Sequence, residues 1–196
     1  MKKVRLTCVR HGQSKHNVQN LVQGWVGSEL TELGHKQVQK FAESYIEKPQ
    51  VIFYSDLNRC RQSVEYITSK YPDIPALADW RLRERSFGKF EGDNKNVIDW
   101  DALTDHDPAK SHRGIEPRNL MGERLKSFLR DLALLDISHA LVVTHGGVLN
   151  QFKFILDPEH TWTKHVNAES IDIEYSLDDP RIKAGPIPEW STSEES

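Results

Sequence analysis

The chain has 196 residues, with 26 lysines and arginines against 29 aspartates and glutamates and a formal net charge of −3. That length suits one domain with a substantial core, and the near-neutral balance, without a basic run, argues against electrostatic nucleic-acid binding. No apolar stretch matches a signal peptide or membrane span, and Cys8 and Cys60 both lie inside apolar patterns, so a reduced, cytoplasmic protein with no membrane partner is expected. Residues 3–9 form a β-branched run suited to a strand buried on both faces. Thr31 is the expected cap of a helix carrying Val38, Phe41, Ala42, Tyr45 and Ile46 at helical spacing. Residues 50–54 read as a strand and 57–71 as a helix with Leu57, Cys60, Val64 and Ile67 on one face, capped by Ser55 or Asp56. A short strand at 75–79, a helix at 122–135, a strand at 140–144 and a helix at 147–156 follow, and residues 170–177 alternate as an edge strand. This order predicts an α/β three-layer sandwich with a mostly parallel central sheet and helices on both faces. Residues 104–120 read as a long loop over the pocket. The catalytic domain is expected to span 1–178, followed by a polar, mobile tail at 179–196 that Trp190 would otherwise pin to the body.

Two segments share one form. Leu6-Thr7-Cys8-Val9-Arg10-His11-Gly12 and Leu141-Val142-Val143-Thr144-His145-Gly146 each run from apolar residues into His-Gly. Such a strand end sets an imidazole at the rim of a sheet, and the glycine lets the backbone turn tightly beneath it. Either segment alone merely ends a strand; both together bring two imidazoles to one pocket, and Arg10 points to an anion there. Arg59, in the first turn of its helix, points back towards the histidines, whereas Arg61 faces elsewhere. Residues 81–92 crowd charge and glycine into what, read alone, is an exposed, salt-bridged turn. His16, His35, His106, His112, His139, His160 and His165 are scattered over loops and polar faces and read as surface or supporting residues. Of these, His112, with Arg113, is placed to touch substrate from the long loop, while Tyr66 and Trp80 read as packing. There is no His-Glu-x-x-His and no Cys/His cluster with ligand spacing, so no metal is expected.

Arg10-His11-Gly12, Ser55-Asp56-Leu57-x-Arg59, Leu82-x-Glu84-x-x-x-Gly88-x-x-Glu91-Gly92 and Thr144-His145-Gly146 resemble, in order and separation, the histidine phosphatase superfamily and its phosphoglycerate-mutase-like branch. The resemblance spans Val4 to Tyr175, with Gly24-Trp25 and Leu30-Thr31-x-x-Gly34 adding to it. Gln13, Ser14, Gly27, Glu29 and Ser63 depart from the pattern without removing a group needed for phosphoryl transfer. The resemblance implies that His11 attacks phosphorus and forms a phosphohistidine. It implies that Arg10 and Arg59 supply donor forks for the phosphoryl oxygens, joined by Asn17, by His145 when protonated, and by the backbone near Gln23-Gly24. The helix start at Gly146 would add free N–H groups and a favourable dipole. Glu84 is the implied general acid, and no cofactor or divalent metal is called for. Three readings follow: a phosphatase of a small phosphorylated metabolite such as a sugar phosphate, a phosphoglycerate mutase, or a non-catalytic phospho-ligand or protein-binding module. The intact set of five catalytic residues disfavours the last, and the lack of extra substrate-enclosing segments disfavours the second. Arg83, Arg85 and Lys89, close to Glu84 in sequence, predict a second anionic group on the substrate.

Overall fold

A computed structural model describes residues 3–100, 114–176 and 178–182. In chain order it contains β1 (Lys3–Arg10), α1 (Lys15–Val18), α2 (Glu32–Ser44), β2 (Val51–Tyr54), α3 (Asn58–Lys70), β3 (Ala76–Ala78), α4 (Arg118–Leu134), β4 (His139–Thr144), α5 (Gly146–Leu156) and β5 (Ser170–Ser176). Single 3-10 turns at Trp80–Leu82, Gly88–Phe90 and Lys95–Val97 shape the loop after β3. The strands run in the order β3-β2-β4-β1-β5. All neighbours are parallel except the edge strand β5, which pairs antiparallel with β1.

β4 is central and buried along its whole length, and its period-2 alternation feeds two cores. Ala140 and Val142 pack with Leu125, Phe128 and Leu129 of α4 and Leu149 and Phe152 of α5. Leu141 and Val143 pack on the other face with Ala42 of α2 and Cys60, Val64 and Ile67 of α3. The expected three-layer α/β architecture, with a mostly parallel sheet covered on both faces, is the one observed.

Several local expectations are corrected. Thr31 does cap α2, accepting from Gly34 N at 3.0 Å. α3, by contrast, starts after Leu57 with no side-chain cap, because Ser55 Oγ bonds His145 and the Asp56 carboxylate pairs with Arg83. α1 was not expected; Ser14 and Asn17 form its capping box. α4 begins at Arg118 rather than Gly122, with Pro117 as its N-cap at φ −58°, so the last part of the expected loop is helical. Residues 101–113, with His106, His112 and Arg113, lie outside the described residues. The packed body also continues past 178: Ile182 is buried in the α4–α5 core, and Arg130 Nη1 donates to its carbonyl at 3.0 Å. Residues 183–196, Trp190 included, lie outside the described residues. His139 is not on a loop or polar face. It opens the central strand, buried, with Nε2 3.1 Å from both Thr7 Oγ1 and Tyr45 OH.

Candidate active site

Parallel pairing sets Arg10 opposite Thr144. His11 and His145 therefore leave adjacent strands at the same level, at the carboxyl ends where open α/β sheets place their ligands. His11 N donates to Thr144 O at 2.9 Å, and the two rings meet edge-on with centroids 5.3 Å apart. Gly12 serves a close approach here: a Cβ on it would lie 2.3 Å from Gly34 O. Although at the sheet rim, His11 is enclosed by protein, at 3% exposure. Its Nδ1 lies 2.7 Å from Gly12 O. A carbonyl oxygen only accepts, so Nδ1 carries the proton and Nε2 keeps its lone pair. Burial, then Arg59 and Arg10, push the imidazole pKa well below its ordinary value, which keeps the ring neutral.

His145 is fully buried. Arg59 Nε donates to its Nδ1 at 3.2 Å, so its proton lies on Nε2, 2.8 Å from Ser55 Oγ. Burial, then Arg59 and His11, hold it neutral as well. The expectation that His145 donates into the pocket is corrected: both ring nitrogens are engaged by protein, and the residue locates Arg59. Arg59 is itself buried, with Nη2 donating to Gly24 O at 2.8 Å and Nη1 to Val26 O at 3.2 Å. Three fixed bonds thus aim its remaining N–H groups. Gly24 contributes through Arg59, since its carbonyl accepts from that guanidinium. Arg10 Nη1 donates to His165 O, while its buried Nε has no hydrogen-bond partner among the described residues.

Ser14 orients two amides. Its hydroxyl lies 3.0 Å from Asn17 Oδ1 and 2.8 Å from Gln23 Oε1, and Ser14 N and Asn167 Nδ2 also donate to Asn17 Oδ1 at 3.1 and 3.3 Å. With both oxygens held by protein, the NH₂ groups of Asn17 and Gln23 are the donors left for a ligand. Glu84 Oε2 accepts from Gly147 N at 3.0 Å and Oε1 from Arg85 N at 2.9 Å. Its carbonyl accepts from Trp25 Nε1 at 2.7 Å and Arg124 Nη2 at 3.1 Å. This corrects the reading of the α5 start: the Gly147 N–H holds Glu84, and Gly146 does not line the cavity. Glu91 is no part of the wall either; its Oε1 accepts from Phe87 N at 2.9 Å and Ser86 Oγ at 3.1 Å and staples the loop.

These groups face one cavity of about 540 Å³, inside the range of roughly 300–1,000 Å³ that encloses a whole small molecule. Five cationic side chains line it, Arg10, Arg59, Arg85, Lys95 and Arg118, with Glu84 the one carboxylate among the described residues. Burial lowers the pKa of all five cations, the direction that loss of solvation gives a cationic group. Of the trio expected to crowd positive charge here, only Arg85 lines the cavity. Arg83 pairs with Asp56 and stacks over Trp25, and Lys89 lies over Phe90 outside the wall. Lys95, Arg118, Phe87, Trp100 and Trp162 were not anticipated. Lys95 lies just beyond the Glu91-Gly92 motif, within reach of a longer reading window; Arg118 and Trp162 come from distant segments that no window joins. Tyr66 and Trp80 do not line the cavity. Among the described residues no three His, Cys, Asp or Glu side chains gather as a metal site, and no helix is long and apolar enough to cross a membrane.

A sequence model of the Histidine phosphatase superfamily (branch 1) matches residues 6–184, and the chain belongs to that family. It is a histidine-phosphatase-type hydrolase acting through catalytic histidine. The chain is similar to a Hydrogenobacter thermophilus protein named "Putative phosphoserine phosphatase 2", 30% identical over 85% of this chain and 87% of that one. It is also similar to 2,3-bisphosphoglycerate-dependent phosphoglycerate mutase 2 of Gloeobacter violaceus, 32% identical over 88% of this chain and 82% of that one. The crystal structure of a Bacillus anthracis phosphoglycerate mutase superposes with a TM-score of 0.79 at 22% identity, covering 90% of this chain and 89% of that one, which establishes the shared fold.

Proposed function

We propose that the protein is a phosphatase that hydrolyses a phosphomonoester of a small metabolite through a phosphohistidine on His11. The observation that carries this reading is the 2.7 Å approach of His11 Nδ1 to Gly12 O, which holds the proton on Nδ1 and leaves the Nε2 lone pair for attack, with burial keeping the ring pKa below its ordinary value. Nε2 attacks phosphorus, an N–P bond forms, and the ester P–O bond breaks. Arg10, Arg59 and the amide donors of Asn17 and Gln23 face the oxygens on which charge accumulates. Glu84 passes a proton to the leaving alcohol oxygen. It then accepts one from the water that attacks phosphorus, which releases phosphate and frees His11. His145 acts by fixing Arg59, and the arginines supply the positive charge, so no divalent metal is called for.

The sequence similarity to a protein named as a phosphatase supports this reading, while similarity to a mutase keeps phosphate transfer within phosphoglycerate as the alternative. Phosphate release from p-nitrophenyl phosphate and from a metabolite panel, measured beside 3-phosphoglycerate interconversion, separates the two. A phosphatase releases phosphate from several of these esters with little interconversion. Dominant interconversion overturns the proposal in favour of a mutase, and inactivity on every ester in favour of a binding module.

A further inference from the structure

α5 buries a single polar side chain, Asn150, which is 1% exposed beside Leu149 and Phe152. A buried amide destabilises the fold unless its hydrogen bonds are met, and Asn150 meets them against the segment that follows its own helix. Nδ2 donates to Thr163 O at 2.9 Å, and Oδ1 accepts from Thr163 N at 2.9 Å. The side chain thus exchanges two bonds with the main chain of one residue, as hydrogen-bonded partners do in an antiparallel ladder. Its second amide hydrogen goes to Gly146 O at 3.0 Å, and Oδ1 also lies 3.2 Å from His160 Nε2 and 3.3 Å from Thr163 Oγ1. Aspartate lacks the donor and glutamine carries it one methylene further out, so the clamp is particular to asparagine.

Between α5 and β5 the chain forms no helix or strand, and side-chain bonds of this kind set its path. Just past Thr163 that path meets the catalytic groups. His165 O accepts from Arg10 Nη1, and Asn167 Nδ2 donates to His11 O at 3.1 Å and to Asn17 Oδ1 at 3.3 Å. The segment then closes on β1, with Ala168 N donating to Arg10 O at 3.1 Å and Arg10 N to Glu169 O at 2.9 Å. The two arginines are held unequally. Arg59 is aimed by three bonds, whereas the guanidinium of Arg10 has the His165 carbonyl alone among the described residues. Its direction therefore depends on where that carbonyl is held.

Resting on the phosphatase reading above, we propose that Asn150 is a positioning residue for phosphoryl transfer. By clamping Thr163 it fixes the His165 carbonyl, which aims Arg10 at the phosphoryl oxygens. Asn150, Thr163 and His165 all lie outside the cavity wall, so the effect is relayed and involves no contact with substrate.

The test uses the full-length protein, p-nitrophenyl phosphate or the most readily hydrolysed ester of the panel above, and vanadate as inhibitor. Asn150→Asp keeps the size and the acceptor but sets an oxygen against Gly146 O and Thr163 O; Asn150→Ala removes the clamp. Each should lower kcat/KM by about 10- to 100-fold. Each should also raise the vanadate inhibition constant by a similar factor, because vanadate reports on the groups that hold the transferring phosphoryl. A residue that only supports the fold would reduce the amount of active enzyme and leave KM and the vanadate constant unchanged. Added to Arg10→Ala, Asn150→Ala should cost no more than about 3-fold further, since the group it aims is gone. Thermal unfolding controls for folding, and Asn150→Ser replaces any variant that is not folded. An unchanged vanadate constant in folded variants, or full multiplication of the two losses, overturns the relay while leaving the phosphatase reading standing. Wild type that hydrolyses no ester of the panel overturns the phosphatase reading, and this inference with it.

Discussion

A Cβ placed on Gly147 would lie 2.0 Å from Glu84 Oε1 and 2.9 Å from its carboxyl carbon, so Gly147→Ala displaces Glu84 without altering its chemistry. Restoring even a 3.0 Å separation moves that oxygen by about 1 Å and strains the 3.0 Å bond from Gly147 N to Oε2. Misplacing a catalytic group by about 1 Å costs on the order of 10² in rate, about 2.7 kcal/mol of barrier. The helix itself gains, because alanine exceeds glycine in helix propensity by up to about 1 kcal/mol, so the melting temperature should hold or rise. The assay is single-turnover phosphoryl transfer from a sugar phosphate and from p-nitrophenyl phosphate. The sugar alkoxide needs a proton to leave, so Gly147→Ala should slow that transfer by about 10²-fold and Glu84→Gln by about 10²–10⁴-fold. The nitrophenolate leaves unaided, so both variants should then lose far less. If both act through one carboxyl group, the double variant should be no slower than Glu84→Gln. Retention of near-wild-type transfer from the sugar phosphate, or equal losses with both substrates, refutes the assignment of Glu84 as the acid.

His11→Ala should abolish turnover and the acid-labile phosphoenzyme trapped by alkaline quench. Because the ring is buried, some stability goes with it, and circular dichroism must confirm folding; a label that survives the substitution reassigns the nucleophile. Activity should be indifferent to EDTA and strongly inhibited by vanadate, which adopts the five-coordinate geometry of phosphoryl transfer; rescue of a chelated enzyme by a divalent ion would overturn metal independence. Burial, followed by Arg5, lowers the pKa of His139 below its ordinary 6.5, so below that pH the unfolded chain binds a proton that the folded chain refuses. Its contribution therefore destabilises as pH falls from 6.5, and His139→Gln should flatten the acid-side stability slope by up to about 1.4 kcal/mol per pH unit. Urea midpoints between about pH 5 and 7.5 check this, and an unchanged slope refutes it.

The strands, the helices and the two His-Gly ends were legible because each signal is local. Apolar alternation, helical spacing and a cap such as Thr31 depend on residues a few positions apart, and the four ordered motifs already named the family. What the tertiary structure decided lies between segments. Asp56 left its expected capping role for Arg83, and Ser55 for His145, once the fold brought them together. Gly147 N turned out to serve Glu84, and the proton on His11 was located only by the 2.7 Å approach to Gly12 O. Arg83, adjacent to Glu84 in sequence, was paired with Asp56 outside the cavity wall, while Arg118 reached that wall beside Trp162. Charge and protonation follow distance and burial in three dimensions, falling off over about 10 Å in salt solution. Neither quantity can be read along the chain, so the cast of the site was visible in the sequence and its partnerships were set by packing.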